Sequence, residues 1–201
     1  MTERPPIILA SASPRRRELL AQIGLAHDVS IADIDETLRE GEAPAEYVLR
    51  MALGKARHAA ARRARGDARP VLGADTAVVA EHHILGKPRD REDALRQLRL
   101  LSGGEHSVLT AVALVDGGRE QTRLSVSHVR FRTLDAAEIQ AYWETGEPAD
   151  KAGSYGIQGL AAIFASEIRG SYSGIMGLPL YETAELLKTL GCHPLGGNRE
   201  T

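Results

Sequence analysis

A ten-residue run from Val71 to Ala80 constrains the fold more than any other part of this chain. It reads VLGADTAVVA, and its small, apolar and β-branched residues are typical of a strand that is covered on both faces. Such a strand favours an α/β protein, in which helices cover a central sheet. The run also contains one acidic residue, Asp75, and an ionised carboxylate there needs a cation, a metal ion or several hydrogen-bond donors as compensation.

Strand and helix patterns alternate along the rest of the chain. We predict strands at 7–10, near His82 and His83, and at 108–115, 125–131 and 162–168. We predict helices at 14–23, 44–64, 90–101, 135–145 and 180–190. No internal repeat or low-complexity linker interrupts this alternation. The sequence therefore predicts a mixed twisted sheet flanked by helices, in a single domain over residues 1–201 with a loose tail at 196–201.

Composition limits the function classes that the chain can serve. The formal net charge of −2 excludes a general basic field for nucleic acid or an anionic membrane, although Arg62, Arg63 and Arg65 form a local basic cluster. One cysteine cannot form an internal disulfide, and no stretch approaches the roughly 20 apolar residues of a membrane span. The start of the chain lacks the pattern of a signal peptide. We therefore expect a cytoplasmic protein without nucleic-acid or membrane partners.

The segment Ser11-Ala12-Ser13-Pro14-Arg15-Arg16 lies where a strand gives way to a helix. A helix start offers unpaired N–H groups and a partial positive charge, serines add hydroxyl donors, and arginines pair with phosphate oxygens. This arrangement favours phosphate binding by Ser11, Ser13, Arg15 and Arg16. The arginines could equally form a solvated face.

Acidic side chains point to metal-assisted chemistry. Asp75 could bind a divalent ion or act as a base for water, or it could end its strand and cap a turn. Glu36, in the acidic segment 33–36, could supply a second carboxylate to the same ion, or it could lie in a solvated loop. No histidine pair has the spacing of metal ligands, and neither a P-loop nor a nucleophile elbow is present.

Two lysines and a glycine-rich segment complete the candidate site. Lys55 falls on the predicted core stripe of its helix and must either snorkel outward or reach an internal anion. Lys87 is followed by a rigid proline, which suits a fixed phosphate contact, although a surface charge is the alternative. In the segment 150–159, glycines allow close backbone approach and Gln158 can read a base edge, whereas a surface loop would have a similar composition.

Several motifs, in the same order, resemble the Maf family of nucleotide pyrophosphatases and cover about residues 7–190. They are LASASPRR (9–16), GADT (73–76), GKP (86–88), LSG (101–103), KAGSYGIQG (151–159) and GLP (177–179). The resemblance implies a mixed-sheet α/β fold with two lobes around a cleft, related in outline to inosine-triphosphate pyrophosphatases. It also implies a homodimer in many members.

The resemblance further implies hydrolysis of nucleoside triphosphates to a monophosphate and pyrophosphate, with Mg²⁺ or Mn²⁺ as cofactor. In the family pattern, Asp75 is the proton acceptor or metal-linked carboxylate and Glu36 is the second acidic residue. Arg15, Arg16, Lys55 and Lys87 fall where the family contacts phosphates.

Substrate choice divides the family, and Arg16, Thr76 and Gln158 resemble the branch that prefers dTTP and UTP over the branch that acts on 7-methyl-GTP. An enzyme for another modified nucleotide is the alternative within the class. A nucleotide-binding regulator of cell division is the alternative outside it, although a pair of carboxylates facing a polyphosphate favours catalysis.

Overall fold

The computed structural model describes residues 7–192, so the predicted loose tail at 196–201 lies outside the described residues. The strands are β1 (Ile7–Ala10), β2 (His27–Val29), β3 (Val71–Ala80), β4 (His83–Leu85), β5 (Glu105–Asp116), β6 (Arg119–Phe131) and β7 (Ala165–Arg169). The α-helices are α1 (Pro14–Gln22), α2 (Pro44–Ala61), α3 (Arg91–Leu101), α4 (Ala136–Glu144), α5 (Tyr172–Met176) and α6 (Leu180–Lys188). Short 3₁₀ helices cover Glu147–Asp150, Ala152–Ser154 and Leu160–Ile163.

The strands form one mixed sheet in the order β2-β1-β3-β5-β6-β7, and β4 pairs with β3. β1 runs parallel to both β2 and β3, whereas β4 and β7 run antiparallel to their partners. Gly117 and Gly118 connect β5 to β6 with φ of 53° and 90°, values that favour glycine in a two-residue hairpin turn. The predicted α/β class with a mixed sheet is confirmed.

The described chain divides into two compact units. The first contains residues 7–75, 110–125 and 177–192, and it buries Leu9, Leu20, Met51, Leu72 and Leu186. The second contains residues 76–109 and 126–176, and its core packs Phe131, Tyr142, Tyr155 and Phe164 with aliphatic residues of α3 and β5. The single domain predicted from chain length stays a prediction. Within residues 7–192, no helix has the length and apolar character needed to cross a bilayer.

Several local elements differ from the sequence prediction, among them β6, which begins at Arg119 rather than 125, and α5, which was not predicted. α2 ends at Ala61 rather than 64, because the N–H groups of Arg62 and Arg63 turn back to the carbonyls of Ala59 and Ala60. β7 begins at Ala165 rather than 162, because the preceding residues form a 3₁₀ helix. The strand β2 was not predicted, because its three residues have no apolar pattern. Its pairing with β1 defines it as a strand.

Candidate active site

Asp75 lies in the middle of β3 with only 8% of its surface exposed. Its Oδ1 is 2.6 Å from the ammonium nitrogen of Lys55. β3 continues to Ala80, so the alternative in which Asp75 ends the strand and caps a turn is wrong. The Lys55 cation thus compensates the buried carboxylate, as its apolar surroundings require.

Lys55 contacts two acidic side chains. Its Nζ also lies 2.7 Å from Oε1 of Glu36, whose side chain is 56% exposed. The lysine side chain itself is only 12% exposed, so it turns inward to an anion rather than snorkelling outward. The structure therefore brings the predicted residues Asp75, Lys55 and Glu36 together.

Helix α2 also orders the segment that carries Glu36. The hydroxyl of Tyr47 donates to the Glu36 carbonyl oxygen at 3.2 Å, and Arg50 donates to the Thr37 carbonyl at 3.0 Å. Burial, with the charges of Asp75 and Glu36 nearby, raises the pKa of Tyr47 to about 12. Tyr47 was not among the predicted site residues, although it lies on the same i, i+4 line as Met51 and Lys55.

The start of α1 supplies cationic and hydroxyl groups to the same unit. Arg16 donates from Nη1 to the Ser11 hydroxyl at 3.1 Å and from Nε to the Gly177 carbonyl at 2.7 Å. The backbone N–H of Ser13 also donates to the Ser11 hydroxyl, while the Ser13 side chain makes no capping bond to the helix. Arg15 lies half-buried on the same turn. These contacts hold the predicted phosphate-binding residues at one helix start.

Electrostatic interactions link Arg16 to the acidic pair. Burial is the main cause that lowers the pKa of Arg16, and the charge of Arg15 adds to this effect. The negative charges of Asp75 and Glu36 oppose it. An arginine titrates so far above neutrality that it remains a cation despite this shift. The unit thus presents Arg16 and Lys55 as cations and Asp75 and Glu36 as anions.

The carboxylates of Asp75 and Glu36 suit a hard divalent ion. Mg²⁺ usually takes one or two protein carboxylates and completes its shell with water and substrate phosphate oxygens. Across residues 7–192, no group of three or more His, Cys, Asp and Glu side chains is arranged to hold a metal by itself. Two carboxylates close to one ammonium fit a metal site in which water and substrate phosphates supply the other ligands. They do not form a complete protein cage.

The remaining predicted residues belong to the second unit. Thr76 follows Asp75 along β3 and is half-buried. Lys87 and Gln158 are exposed, and neither makes a hydrogen bond or ion pair with any residue in the range 7–192. The Gly153 N–H donates to the Gly86 carbonyl at 3.2 Å, which ties the segment before Gln158 to the loop that carries Lys87. The roles assigned to these side chains stay predictions.

A buried histidine supports the segment before Gln158. His106 is 3% exposed, and its Nε2 lies 2.8 Å from the Tyr155 hydroxyl. Burial lowers the pKa of His106 to about 4, although Glu105 opposes the shift. An unfolded histidine has a pKa of about 6.5, so below that value the unfolded chain binds more protons than the folded one. Stability should therefore fall as the pH drops from the unfolded towards the folded pKa.

We expect His106→Gln to weaken this acid sensitivity, because glutamine can still bond to Tyr155 but does not titrate. Between about pH 7 and about pH 4.5, the loss of unfolding free energy should be smaller by about 2 kcal/mol than in the unmodified protein. Urea unfolding at the two pH values measures this difference. His82→Gln, an exposed neighbour, should leave the loss unchanged, and an equal loss in all three proteins would contradict the assignment.

Comparisons with known proteins agree on one family. A family model described as Maf-like protein matches residues 6–190. A protein of Alkalilimnicola ehrlichii called dTTP/UTP pyrophosphatase is 58% identical over 188 residues, covering 92% of each chain. Proteins of the same name from Aromatoleum aromaticum and Hahella chejuensis are each 55% identical, covering 94% of this chain and 97% and 94% of their own.

A solved structure, that of the Staphylococcus aureus Ham1 protein, aligns with 92% of this chain and 96% of its own at 13% identity. Its TM-score of 0.42 does not establish a shared fold. The predicted relation in outline to inosine-triphosphate pyrophosphatases therefore stays a prediction.

Proposed function

This chain belongs to the Maf-like protein family, and we propose that it hydrolyses dTTP and UTP to the nucleoside monophosphate and pyrophosphate. The observation that carries the proposal is the buried contact of Asp75 with Lys55, which also binds Glu36. A carboxylate kept in an apolar strand and paired with one lysine is suited to proton transfer beside a polyphosphate. Curated relatives at 55–58% identity carry the name dTTP/UTP pyrophosphatase.

In the proposed reaction, Asp75 accepts a proton from a water molecule whose oxygen attacks the α-phosphorus. The new P–O bond replaces the bond from the α-phosphorus to the oxygen that bridges the α- and β-phosphates, and pyrophosphate leaves with that oxygen. Lys55, Lys87 and Arg15 balance the charge that develops on the leaving group. Arg16, Ser11 and Ser13 bind the phosphates, and no covalent intermediate with the protein is required.

Asp75 and Glu36 are the residues that would hold the divalent ion, Mg²⁺ or Mn²⁺. The bound ion would neutralise phosphate charge and lower the pKa of coordinated water. Lys55 keeps the two carboxylates close together, so they do not have to be gathered when the nucleotide binds. Cytoplasmic location, which the sequence predicts, and assembly as a homodimer, which the family resemblance implies, belong to the same proposal.

A screen of common and modified nucleoside triphosphates with pyrophosphate detection tests the function. We expect dTTP and UTP to have the highest kcat/KM, a chelator to abolish turnover, and added Mg²⁺ or Mn²⁺ to restore it. If another nucleotide were hydrolysed fastest, the chain would still be a nucleotide pyrophosphatase, but with a different substrate. Tight nucleotide binding without pyrophosphate release at any metal concentration would refute the enzymatic proposal.

Gln158→Ala should blur the choice of base more than it affects folding. We propose that the Gln158 amide donates to and accepts from the edge of the pyrimidine. Losing one such contact should reduce the preference for dTTP over dGTP by roughly 1–3 kcal/mol in kcat/KM, with an unchanged melting temperature. Gln121→Ala, which removes an amide that donates to the Thr189 hydroxyl, is the control. An unchanged nucleotide ranking in Gln158→Ala would contradict the assignment.

A further inference from the structure

One carboxylate holds the turn that presents Gln158. Oε2 of Glu147 accepts the Leu160 N–H at 2.9 Å, and Oε1 accepts the Ala161 N–H at 3.4 Å. These two peptide groups begin the 3₁₀ helix directly after the turn. The bonds therefore fix the backbone on the carboxyl side of Gln158.

Tyr142 fixes the backbone on the other side of the turn through the same carboxylate. Its hydroxyl donates to Oε1 of Glu147 at 2.7 Å and accepts the Gly156 N–H at 3.1 Å. The Tyr142 residue is only 3% exposed, and its bond to Gly156 is buried. Glu147 and Tyr142 together therefore bracket residues 156–161, with Gln158 between the bracketed peptide groups.

Close approach of the carboxylate requires glycine at position 159. A Cβ built on Gly159 would lie 2.5 Å from Cδ of Glu147, a distance that real atoms do not reach. Burial alone would raise the pKa of Glu147, but hydrogen bonds from Leu160, Tyr142 and Ala161 outweigh that effect and lower it. The carboxylate is thus an ionised acceptor packed against the turn.

We infer that Glu147, supported by Tyr142, is a positioning residue that fixes Gln158 for recognition of the pyrimidine base. The inference rests on the proposed function, since it requires that Gln158 reads a base. The Gln158 side chain makes no hydrogen bond with residues 7–192, so its backbone position sets the region that its amide can reach. A preorganised backbone spares the ordering cost that a loose turn would incur at each binding event.

Glu147→Gln tests the inference, because an amide offers one acceptor oxygen where the carboxylate uses two. We expect KM for dTTP to rise and the preference for dTTP over dGTP to fall, each by about tenfold, while kcat changes by less than about twofold. Glu144→Gln is the matched control, since that residue lies three positions earlier with a 70% exposed side chain. It should leave KM, kcat and the nucleotide ranking unchanged.

Tyr142→Phe provides a second route if Glu147→Gln folds poorly. It removes only the hydroxyl, and we expect the same loss of preference; the double variant should lose little more than either single one because both act on one turn. Equal losses for all nucleotides, or an unchanged ranking in both folded variants, would overturn the inference while leaving the proposed function intact. Failure of the unmodified protein to hydrolyse any nucleotide would overturn both.

Discussion

Replacing Asp75 with asparagine is expected to reduce kcat for dTTP by about 10³-fold, within the range found for loss of a general base. Asparagine has nearly the same volume, so the packing of β3 should persist. Its amide is not a base for water, and it offers one neutral oxygen where the carboxylate offers two charged ones to a metal. KM should change much less than kcat, because the proposed phosphate-binding groups at the start of α1 remain.

Lys55 loses one of its two acidic partners in Asp75→Asn but keeps Glu36. Because Glu36 is more exposed than Asp75, the remaining pair compensates the lysine only in part, and we expect a stability loss of about 1–3 kcal/mol. Circular dichroism and urea unfolding separate this loss from the loss of turnover. Asp28→Asn, which removes an exposed carboxylate paired with Arg69, should retain full activity. Near-normal pyrophosphate release by folded Asp75→Asn would refute the assignment of Asp75 as the base.

Elements with a strong local pattern could be predicted from the sequence. β3 has the bounds that its apolar run predicts, and α3 begins after Asp90, whose side chain accepts the Asp93 N–H as a helix cap. The anomalous position of Lys55 on the core stripe of α2 left two outcomes, snorkelling outward or reaching an internal anion, and the structure shows the second. These features can be detected in a single sequence, because each consists of a regular pattern, the residue that ends it, or a residue that conflicts with it.

Residues that act through long-range contacts could not be predicted in this way. Glu147 stands beside a proline in an irregular segment, and its partners lie five to fourteen positions away without any period. The Gly177 carbonyl accepts a hydrogen bond from Arg16, which lies 161 positions earlier in the chain. Tyr47 was missed but could have been predicted, because its helical spacing to Lys55 is regular. Tertiary packing, rather than local propensity, therefore determines this part of the candidate site.

Substitution of Gly73 by alanine should strongly destabilise the fold near the candidate site. The backbone of α2 passes directly over this glycine, so an added Cβ would overlap the Ala52 carbonyl oxygen and lie 2.8 Å from the Ala56 nitrogen. Both neighbours are backbone atoms of a helix and cannot rotate away. The whole helix must shift, and we expect a loss of about 3 kcal/mol in the free energy of unfolding, at the high end for an overpacked core.

The same shift should impair catalysis, because Lys55 directly precedes Ala56 on the displaced turn of α2. Moving the ammonium by about 1 Å from Asp75 and Glu36 should lower kcat/KM by about 10²-fold in whatever fraction remains folded. Activity per folded molecule, from pyrophosphate release and urea unfolding on the same samples, measures this effect. Gly104→Ala is the control, since its nearest contact would be an ordinary 3.8 Å to Leu101. If Gly73→Ala matched that control in stability and turnover, close packing of α2 on β3 could not be what holds Lys55 against the two carboxylates.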